Sequence, residues 1–257
     1  MTTMGRTIGK PDLERLRVCF AKDGRLAHLG HIELLNTIMR SVRRAELPFS
    51  VGNGFARRMR IQFCQALPVG ASSHAEYYDV YLRERVDLTW AASALRASTP
   101  PLLAPLDVTY ADPREAALEA WLTRADWQVE LVWAEDALRD GDARQVTGRL
   151  DASLHELAEQ GSIDFMRGTQ PRTLSLSDTL VSWRTSAAQT DEGRPCTQLE
   201  LQTRSSNQGA LRPAVLLEAA LATPPLEDSR LCSQRVIRIA QWHEDEQGAL
   251  IDPMAGT

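Results

Sequence analysis

The order in which strand and helix patterns follow one another constrains the fold of this chain most strongly. In the first half, alternating or apolar runs predict strands over 16–24, 59–67, 76–84 and 102–111. Apolar residues at three- and four-residue spacing predict helices over 31–47 and 87–99. The resulting order, β-α-β-β-α-β, is the split βαβ pattern of ferredoxin-like domains.

The second half repeats this order after a short helical insert. Strands are predicted over 126–134, 197–205 and 235–243, helices over 143–160 and 212–222, and a hairpin region over 163–168 and 173–186. We therefore expect an α+β protein of two tandem ferredoxin-like (βαββαβ) lobes. The first lobe covers 12–111 and carries a basic Gly/Arg loop, a linker helix covers 112–125, and the second lobe covers 126–250.

Charge is distributed unevenly along the chain. The net charge is −5, yet the segment from Arg15 to Arg60 holds ten lysine and arginine residues against three acidic ones. A basic first lobe on an acidic body indicates a local anionic partner. No apolar run approaches the roughly 18 residues of a membrane span, and the N-terminus has no apolar signal-peptide core.

Four cysteines are scattered without CxxC spacing, which argues against a zinc or iron–sulfur site. We expect buried, reduced thiols in a cytoplasmic protein without a metal or cofactor. The cysteines are Cys19, Cys64, Cys196 and Cys232.

The stretch SVGNGFARRMR, residues 50–60, is the main candidate ligand site. Gly52 and Gly54 favour positive φ and a close backbone approach to a ligand, and Phe55 offers a ring on which a base could stack. Guanidinium groups suit phosphate oxygens. The alternative is a solvated basic hairpin edge that discourages aggregation. The arginines that could converge here are Arg57, Arg58, Arg60, Arg43 and Arg44.

His31 is the candidate catalytic residue, with Glu33 two positions later. A histidine at the start of a helix tends to stay neutral because the positive dipole end disfavours a second charge. It could then act as a general base, or it could simply pack at the junction. A metal set with His28 fails because His28 precedes the helix.

A weaker anion site lies in QGALRPAVLLEAAL. Arg212 begins a predicted helix and Gly209 precedes it, and a helix N-terminus with an arginine can hold an anion. The alternative is that Arg212-Pro213 is only a structural entry to the helix.

The run from Arg15 to Leu82 resembles an uncharacterised bacterial family, the radical-SAM-linked proteins. The segments GALRP and RVIRIAQWHEDEQGALIDP resemble the family's C-terminal pattern. The family is typically encoded beside, or fused to, a radical SAM enzyme. Positions that carry the resemblance are Lys22, Gly24, His31, Arg43, Arg44, Ala45, Leu47, Pro48, Gly54, Phe55, Ala66, Leu67, Pro68 and Gly70.

Two departures from the family pattern shape the expected function. Its Ser-His-Leu-Asp is Gly30-His31-Ile32-Glu33 here, and its Asn-Pro-His-Pro is Ala56-Arg57-Arg58-Met59. The missing histidine argues against a mechanism that needs it, and the added arginines favour contact with an anion. The chain has no CxxxCxxC motif, so it is not the radical SAM enzyme itself.

The resemblance implies a non-catalytic accessory or substrate-binding partner of a radical SAM enzyme. We expect contact with RNA or another anionic substrate through the Gly52–Arg60 loop and Lys22, without readout of DNA sequence and without a membrane. One alternative is an RNA-processing or RNA-modifying enzyme that uses His31 and Glu33. Another is a protein-docking module whose arginines meet an acidic partner. We expect a ligand to lie between the two lobes.

Overall fold

The computed structural model describes residues 13–134, 138, 143–206, 209–223, 226 and 231–256. The strands are β1 Glu14–Lys22, β2 Ile61–Phe63, β3 Ser72–Leu82, β4 Pro105–Ala111, β5 Arg124–Trp133, β6 Ser162–Arg167, β7 Gln170–Ser175, β8 Leu180–Gln189, β9 Pro195–Ser206, β10 Gly209–Ala210, β11 Leu231–Glu244 and β12 Leu250–Ile251. The helices are α1 His31–Arg44, α2 Leu88–Ser98, α3 Leu118–Trp121, α4 Ala143–Gln160, α5 Leu176–Thr179 and α6 Pro213–Leu221, with 3₁₀ turns at Gly24–His28 and Pro101–Leu103.

Most of these strands form one mixed sheet that runs through both halves of the chain. In the first half, β1 lies between β4 and β3, and β2 pairs with β3, all antiparallel. In the second half, β5 lies between β11 and β9, and β8 pairs with β9, again antiparallel. The two halves therefore share one strand order.

The halves join where β11 pairs with β3 in parallel, with Ile237 opposite Ser72 and Arg238 opposite Ser73. The β6–β7 hairpin stands apart from the large sheet as a sheet of its own. The prediction of an α+β protein is thus confirmed, with a single large mixed sheet as its frame.

Each half has its own apolar core. In the first half, α1 and α2 cover β1, β3 and β4, with Leu16, Ile38 and Leu95 fully buried. In the second half, α4 and α6 cover β5 and β9, with Leu150 and Leu216 fully buried. The opposite face of the first half carries a smaller cluster around Leu118 and Trp121.

Several local signals act as the sequence indicates. The Asp87 side chain accepts a hydrogen bond from the Trp90 N–H and caps α2 (2.8 Å). Pro213 occupies the first turn of α6. Gly161 ends α4 with φ 75°, a left-handed conformation that suits glycine.

Other local predictions were wrong. In the 112–125 segment only α3 is helical, because Arg15 donates hydrogen bonds to the carbonyls of Glu115 (3.1 Å) and Ala116 (3.0 Å) and holds them in an irregular path. Strand β2 is three residues long, shorter than the predicted 59–67. Ile32 shares the apolar three- and four-residue spacing that predicts the helix over 31–47, yet it is 73% exposed.

No helix among the described residues is both long and apolar enough to cross a bilayer.

Candidate functional site

A groove of about 760 Å³ lies where the two halves meet. Its walls come from four separate parts of the chain: the turn after β2, the segment around α3, the β6–β7 hairpin, and the loop that leads into α6. Five arginines line this groove, against one carboxylate, Glu119, in the described part of the chain. The arginines are Arg124, Arg167, Arg172, Arg212 and Arg238. In a protein of net charge −5, these arginines concentrate positively charged side chains around one groove.

The β6–β7 hairpin supplies the rim. Ile163 and Leu174 anchor its base in the core of the second half, while Arg167 and Arg172 near its tip are exposed. Arg172 stands opposite Phe165 across the two strands, so a cation and an aromatic ring lie side by side. The rim can thus offer both charge and an apolar face.

The start of α6 forms a second wall. Arg212 is the N-cap residue, it is exposed, and no side chain caps the helix. Gly209 lies just before it with φ 153°, and a Cβ there would come within 2.9 Å of the Leu174 side chain. Only glycine fits without strain. The loop therefore packs closely against the β6–β7 hairpin. Arg212 and the positive end of the α6 dipole lie together at this wall of the groove.

Arg238 on β11 belongs to the floor. Its side chain is buried, its Nε donates to Glu76 (3.0 Å), and its Nη2 donates to the same carboxylate and to the Gln65 carbonyl (3.1 Å). Burial opposes the charge, but the neighbouring Glu76 carboxylate raises the pKa of Arg238 above its usual range. The Arg238–Glu76 pair also ties β11 to β3, so the floor of the groove is the junction of the two halves.

The side chains behind this pair are also buried. Cys64 donates to Glu76 (3.5 Å), and burial raises the pKa of its thiol to about 12. Lys22 is buried, with its Nζ donating to the Ala27 carbonyl (3.1 Å). Burial lowers the pKa of Lys22, Glu76 partly offsets this, and Arg238 lowers it further.

Arg124, at the start of β5, lines the groove from the linker side. Its Nη1 pairs with Glu244 (3.0 Å), a carboxylate that also receives two hydrogen bonds from Arg204. These arginines, Arg204 first and Arg124 second, hold the pKa of Glu244 below its usual range against the effect of burial. The Nε of Arg124 has no hydrogen-bond partner although the side chain is only 9% exposed.

The predicted Gly/Arg loop is a short hairpin away from the groove lining. The N–H of Gly52 donates to the Arg58 carbonyl (2.8 Å), and the N–H of Arg60 donates to the Ser50 carbonyl (2.9 Å). The sequence predicts positive φ at Gly52 and Gly54, but neither glycine adopts it. Arg57 does, with φ 41°. Phe55 at the tip is fully exposed.

The side chains of the five predicted loop arginines make no ion pair or hydrogen bond with the described residues. Most of these side chains are exposed, and that of Arg60 is half-buried. They are therefore free to meet a partner but are held in no fixed arrangement. The five are Arg43, Arg44, Arg57, Arg58 and Arg60.

His31 and Glu33 lie at the exposed start of α1. Glu33 accepts a hydrogen bond from the Gly30 N–H (3.2 Å), which is the role of a capping residue. Neither residue lines the groove, and Lys22 does not reach its surface.

The basic surplus of the first half is partly internal. Arg15 and Arg17 are buried and share the Asp79 carboxylate, with Arg15 Nε at 2.5 Å and Arg17 Nε at 2.9 Å. Arg17 also stacks on Trp121 at 4.5 Å and donates to the Pro253 carbonyl (3.3 Å). These arginines stabilise the fold and do not form an outward basic surface.

The cysteines differ from prediction at one position. Cys19, Cys64 and Cys196 are buried, but Cys232 is exposed. It lies near the start of β11, in a run of exposed residues that follows the half-buried Leu231. Among the described residues no group of three or more His, Cys, Asp or Glu is placed to hold a metal ion.

The fold and the groove together define an α+β protein with an arginine-lined cleft between two halves of similar strand order. The chain belongs to the family described as an uncharacterized protein conserved in bacteria, DUF2344, whose sequence pattern matches residues 15–213. The match includes every groove arginine except Arg238.

No curated protein matches the chain. Two solved structures show only a weak likeness. An unknown protein from Galdieria sulphuraria is 12% identical, with 86% of this chain and 98% of that chain covered and a TM-score of 0.22. DyPB from Rhodococcus jostii RHA1 is 13% identical, with 90% and 93% covered and a TM-score of 0.23. Likeness at this level carries no argument about fold or function.

Proposed function

We propose that this protein is a non-catalytic RNA-binding protein that holds its substrate in the groove between its halves and presents it to a radical SAM enzyme. The observation that carries the proposal is the set of five arginines around one groove in an acidic protein. Guanidinium groups bind phosphate oxygens through paired N–H donors. Phosphate contacts supply most of the affinity of proteins for nucleic acids.

The chemistry of the groove lining supports binding over catalysis. Within the described residues the lining holds no histidine, lysine, cysteine or tyrosine, and Glu119 is its single carboxylate. A lining of this kind offers no nucleophile paired with a base and no acid–base pair. His31, the predicted base, lies elsewhere.

The radical SAM partner rests on the sequence resemblance. Two of the segments that carry the resemblance meet in the groove: Ala66 and Pro68 from the turn after β2, and Gly209 and Arg212 from the loop before α6. The proposal takes the halves to be two ferredoxin-like lobes, because each has its first strand between its fourth and third and its second strand beside its third.

The Gly52–Arg60 hairpin is proposed as a secondary contact. Its exposed Phe55 and unpaired arginines suit either the far end of a bound RNA or an acidic surface on the partner enzyme. It has no enclosed lining, so we expect it to add less affinity than the groove.

Charge reversal in the two regions tests the proposal. We expect Arg167/Arg172/Arg212→Glu to weaken binding of a short oligoribonucleotide at least about 100-fold, because hydrogen bonds to charged groups contribute about 1.5–3 kcal/mol each. Arg57/Arg58/Arg60→Glu should weaken it less than about tenfold. Fluorescence anisotropy measures both.

The matched control changes three other exposed arginines outside the groove, Arg25/Arg83/Arg184→Glu, and should leave affinity within about threefold. Circular dichroism and thermal unfolding establish that each variant is folded. If the folded groove variant binds RNA as tightly as the unmodified protein, the proposal is wrong. Recovery of a radical SAM enzyme with the tagged protein from native cells tests the partner.

A further inference from the structure

The groove arginines are not equally available to a ligand. Arg238 is neutralised by Glu76, and Arg124 is paired with Glu244. Arg167 and Arg212 make no ion pair with the described residues, and Arg172 donates only to the neutral Gln170 side chain (3.0 Å). Set against Glu119, these three arginines leave a surplus of about two positive charges at the mouth of the groove.

The surplus lies beside the start of helix α6, which has no side-chain cap. Pro213 has no N–H, and the Val215 N–H donates to the Arg212 carbonyl (3.0 Å), so the first turn offers the Ala214 N–H and the positive end of the helix dipole. Across the groove, the Nε of the nine-tenths buried Arg124 also lacks a partner. That nitrogen is enclosed, so the donors open to a ligand are the unpaired arginines and the start of α6.

The size of the groove limits what can enter. A volume of about 760 Å³ falls in the range of pockets that enclose a small molecule, roughly 300–1,000 Å³. This is room for one or two nucleotides, and the buried junction of β11 with β3 closes the floor. A continuous strand that passes through would need a second opening.

Building on the proposed function, we propose that the groove binds the phosphorylated end of an RNA chain. The terminal phosphate lies between Arg212 at the start of α6 and the hairpin arginines Arg167 and Arg172. A phosphomonoester carries about −1.5 to −2 charges at pH 7 and matches the surplus, whereas an internal phosphodiester carries one charge. The first base rests against Phe165.

The test compares oligoribonucleotides of one sequence that carry a 5′-phosphate, a 3′-phosphate or only hydroxyl ends, each labelled away from the end under test. We expect one phosphorylated form to bind at least about tenfold more tightly than the hydroxyl form, because the terminal phosphate accepts charge-assisted hydrogen bonds that the hydroxyl end cannot form. Arg212→Ala should abolish this preference, so that the phosphorylated and hydroxyl forms bind the variant with affinities within about threefold of each other. Arg184→Ala, at an exposed arginine outside the groove, should keep the preference.

The outcomes separate the two proposals. If all three RNAs bind equally well and the affinity still falls in the groove variant, the chain-end proposal is overturned and RNA binding in the groove stands. If none of the RNAs binds, both are overturned. Displacement of the phosphorylated RNA by an equal concentration of inorganic phosphate would reduce the site to a simple phosphate site and also overturn the chain-end proposal.

Discussion

The groove and the Gly52–Arg60 hairpin are both rich in arginine, yet they are built in different ways. In the hairpin, three arginines lie within four consecutive residues, and their side chains are unpaired and exposed or half-buried. In the groove, each arginine is between five and 43 residues from the next along the chain, and the set is positioned by a helix start, a hairpin and the central sheet. The hairpin offers charge and one exposed ring, Phe55, without an enclosed lining, whereas the groove offers charge in a fixed shape.

This difference explains why the hairpin arginines can be recognised from the sequence and the groove arginines as a set cannot. A run such as ARRMR concentrates charge within one window. The groove arginines each stand alone, and only the pairing of β11 with β3 and the strand order of the second half bring them together. Arg15 and Arg17 show the reverse case, because they belong to a basic segment in sequence but are neutralised inside the fold.

A substitution in the floor of the groove should have the largest effect on the stability of the protein. Glu76→Gln leaves both Arg238 and Lys22 buried without the carboxylate that compensates them. Removal of one partner from a buried pair costs about 3–5 kcal/mol. We expect the free energy of unfolding, measured in urea, to fall by this amount.

The exposed Glu84 provides the control, since Glu84→Gln should change stability by less than about 0.5 kcal/mol. A loss below about 1 kcal/mol in Glu76→Gln would mean that the junction does not depend on the buried pair.

The salt dependence of RNA affinity should show the second-largest difference between the two regions. For single-stranded nucleic acid, the logarithm of affinity falls with the logarithm of salt by about 0.7 for each phosphate contacted. Loss of three groove arginines should reduce that slope by about two, whereas loss of the three hairpin arginines should reduce it by less than one. Titrations between 50 and 200 mM salt, roughly the range over which such slopes are resolved, measure this. Equal slopes for the two variants would contradict the ranking.

Substitution of one glycine in each region, Gly209 and Gly54, should give the smallest difference in stability. Gly209 lies in a left-handed conformation against Leu174, whereas Gly54 has no positive φ, and a Cβ added there would meet no heavy atom within 4 Å. Gly209→Ala should therefore cost about 1–3 kcal/mol of stability, and Gly54→Ala less than about 0.5 kcal/mol. Thermal unfolding compares them directly. Similar losses in both would show that the loop before α6 tolerates a side chain.

Local structure can be predicted well from the sequence because helix caps and apolar periodicity act over a few residues. Asp87 and Pro213 begin helices through their side chains, and Gly161 ends one through its freedom to adopt positive φ. The irregular path of 112–117 depends on a buried arginine about 100 residues away, and no local pattern encodes that contact. The tail near Pro253 is likewise held by a distant buried residue, because Arg17 donates a hydrogen bond to the Pro253 carbonyl (3.3 Å).

For the candidate site, the sequence predicts the residue type and the place between the halves but not the set of residues. Arg212 with Gly209 is the one groove feature that the sequence does indicate, through the helix start. The sequence predicts a hairpin region over 163–168 and 173–186, but it does not place that hairpin beside the start of α6, which is what brings Arg167 and Arg172 to the groove.

Photo-crosslinking of an oligoribonucleotide that carries 4-thiouridine, followed by mass spectrometry of the crosslinked peptides, tests the central claim most directly. Phe165 stands in the groove and Phe55 on the hairpin, so each region has an aromatic residue suited to crosslinking. The account predicts crosslinks within residues 162–175 and 209–215. Crosslinks confined to residues 50–60 would contradict it and return the binding site to the hairpin.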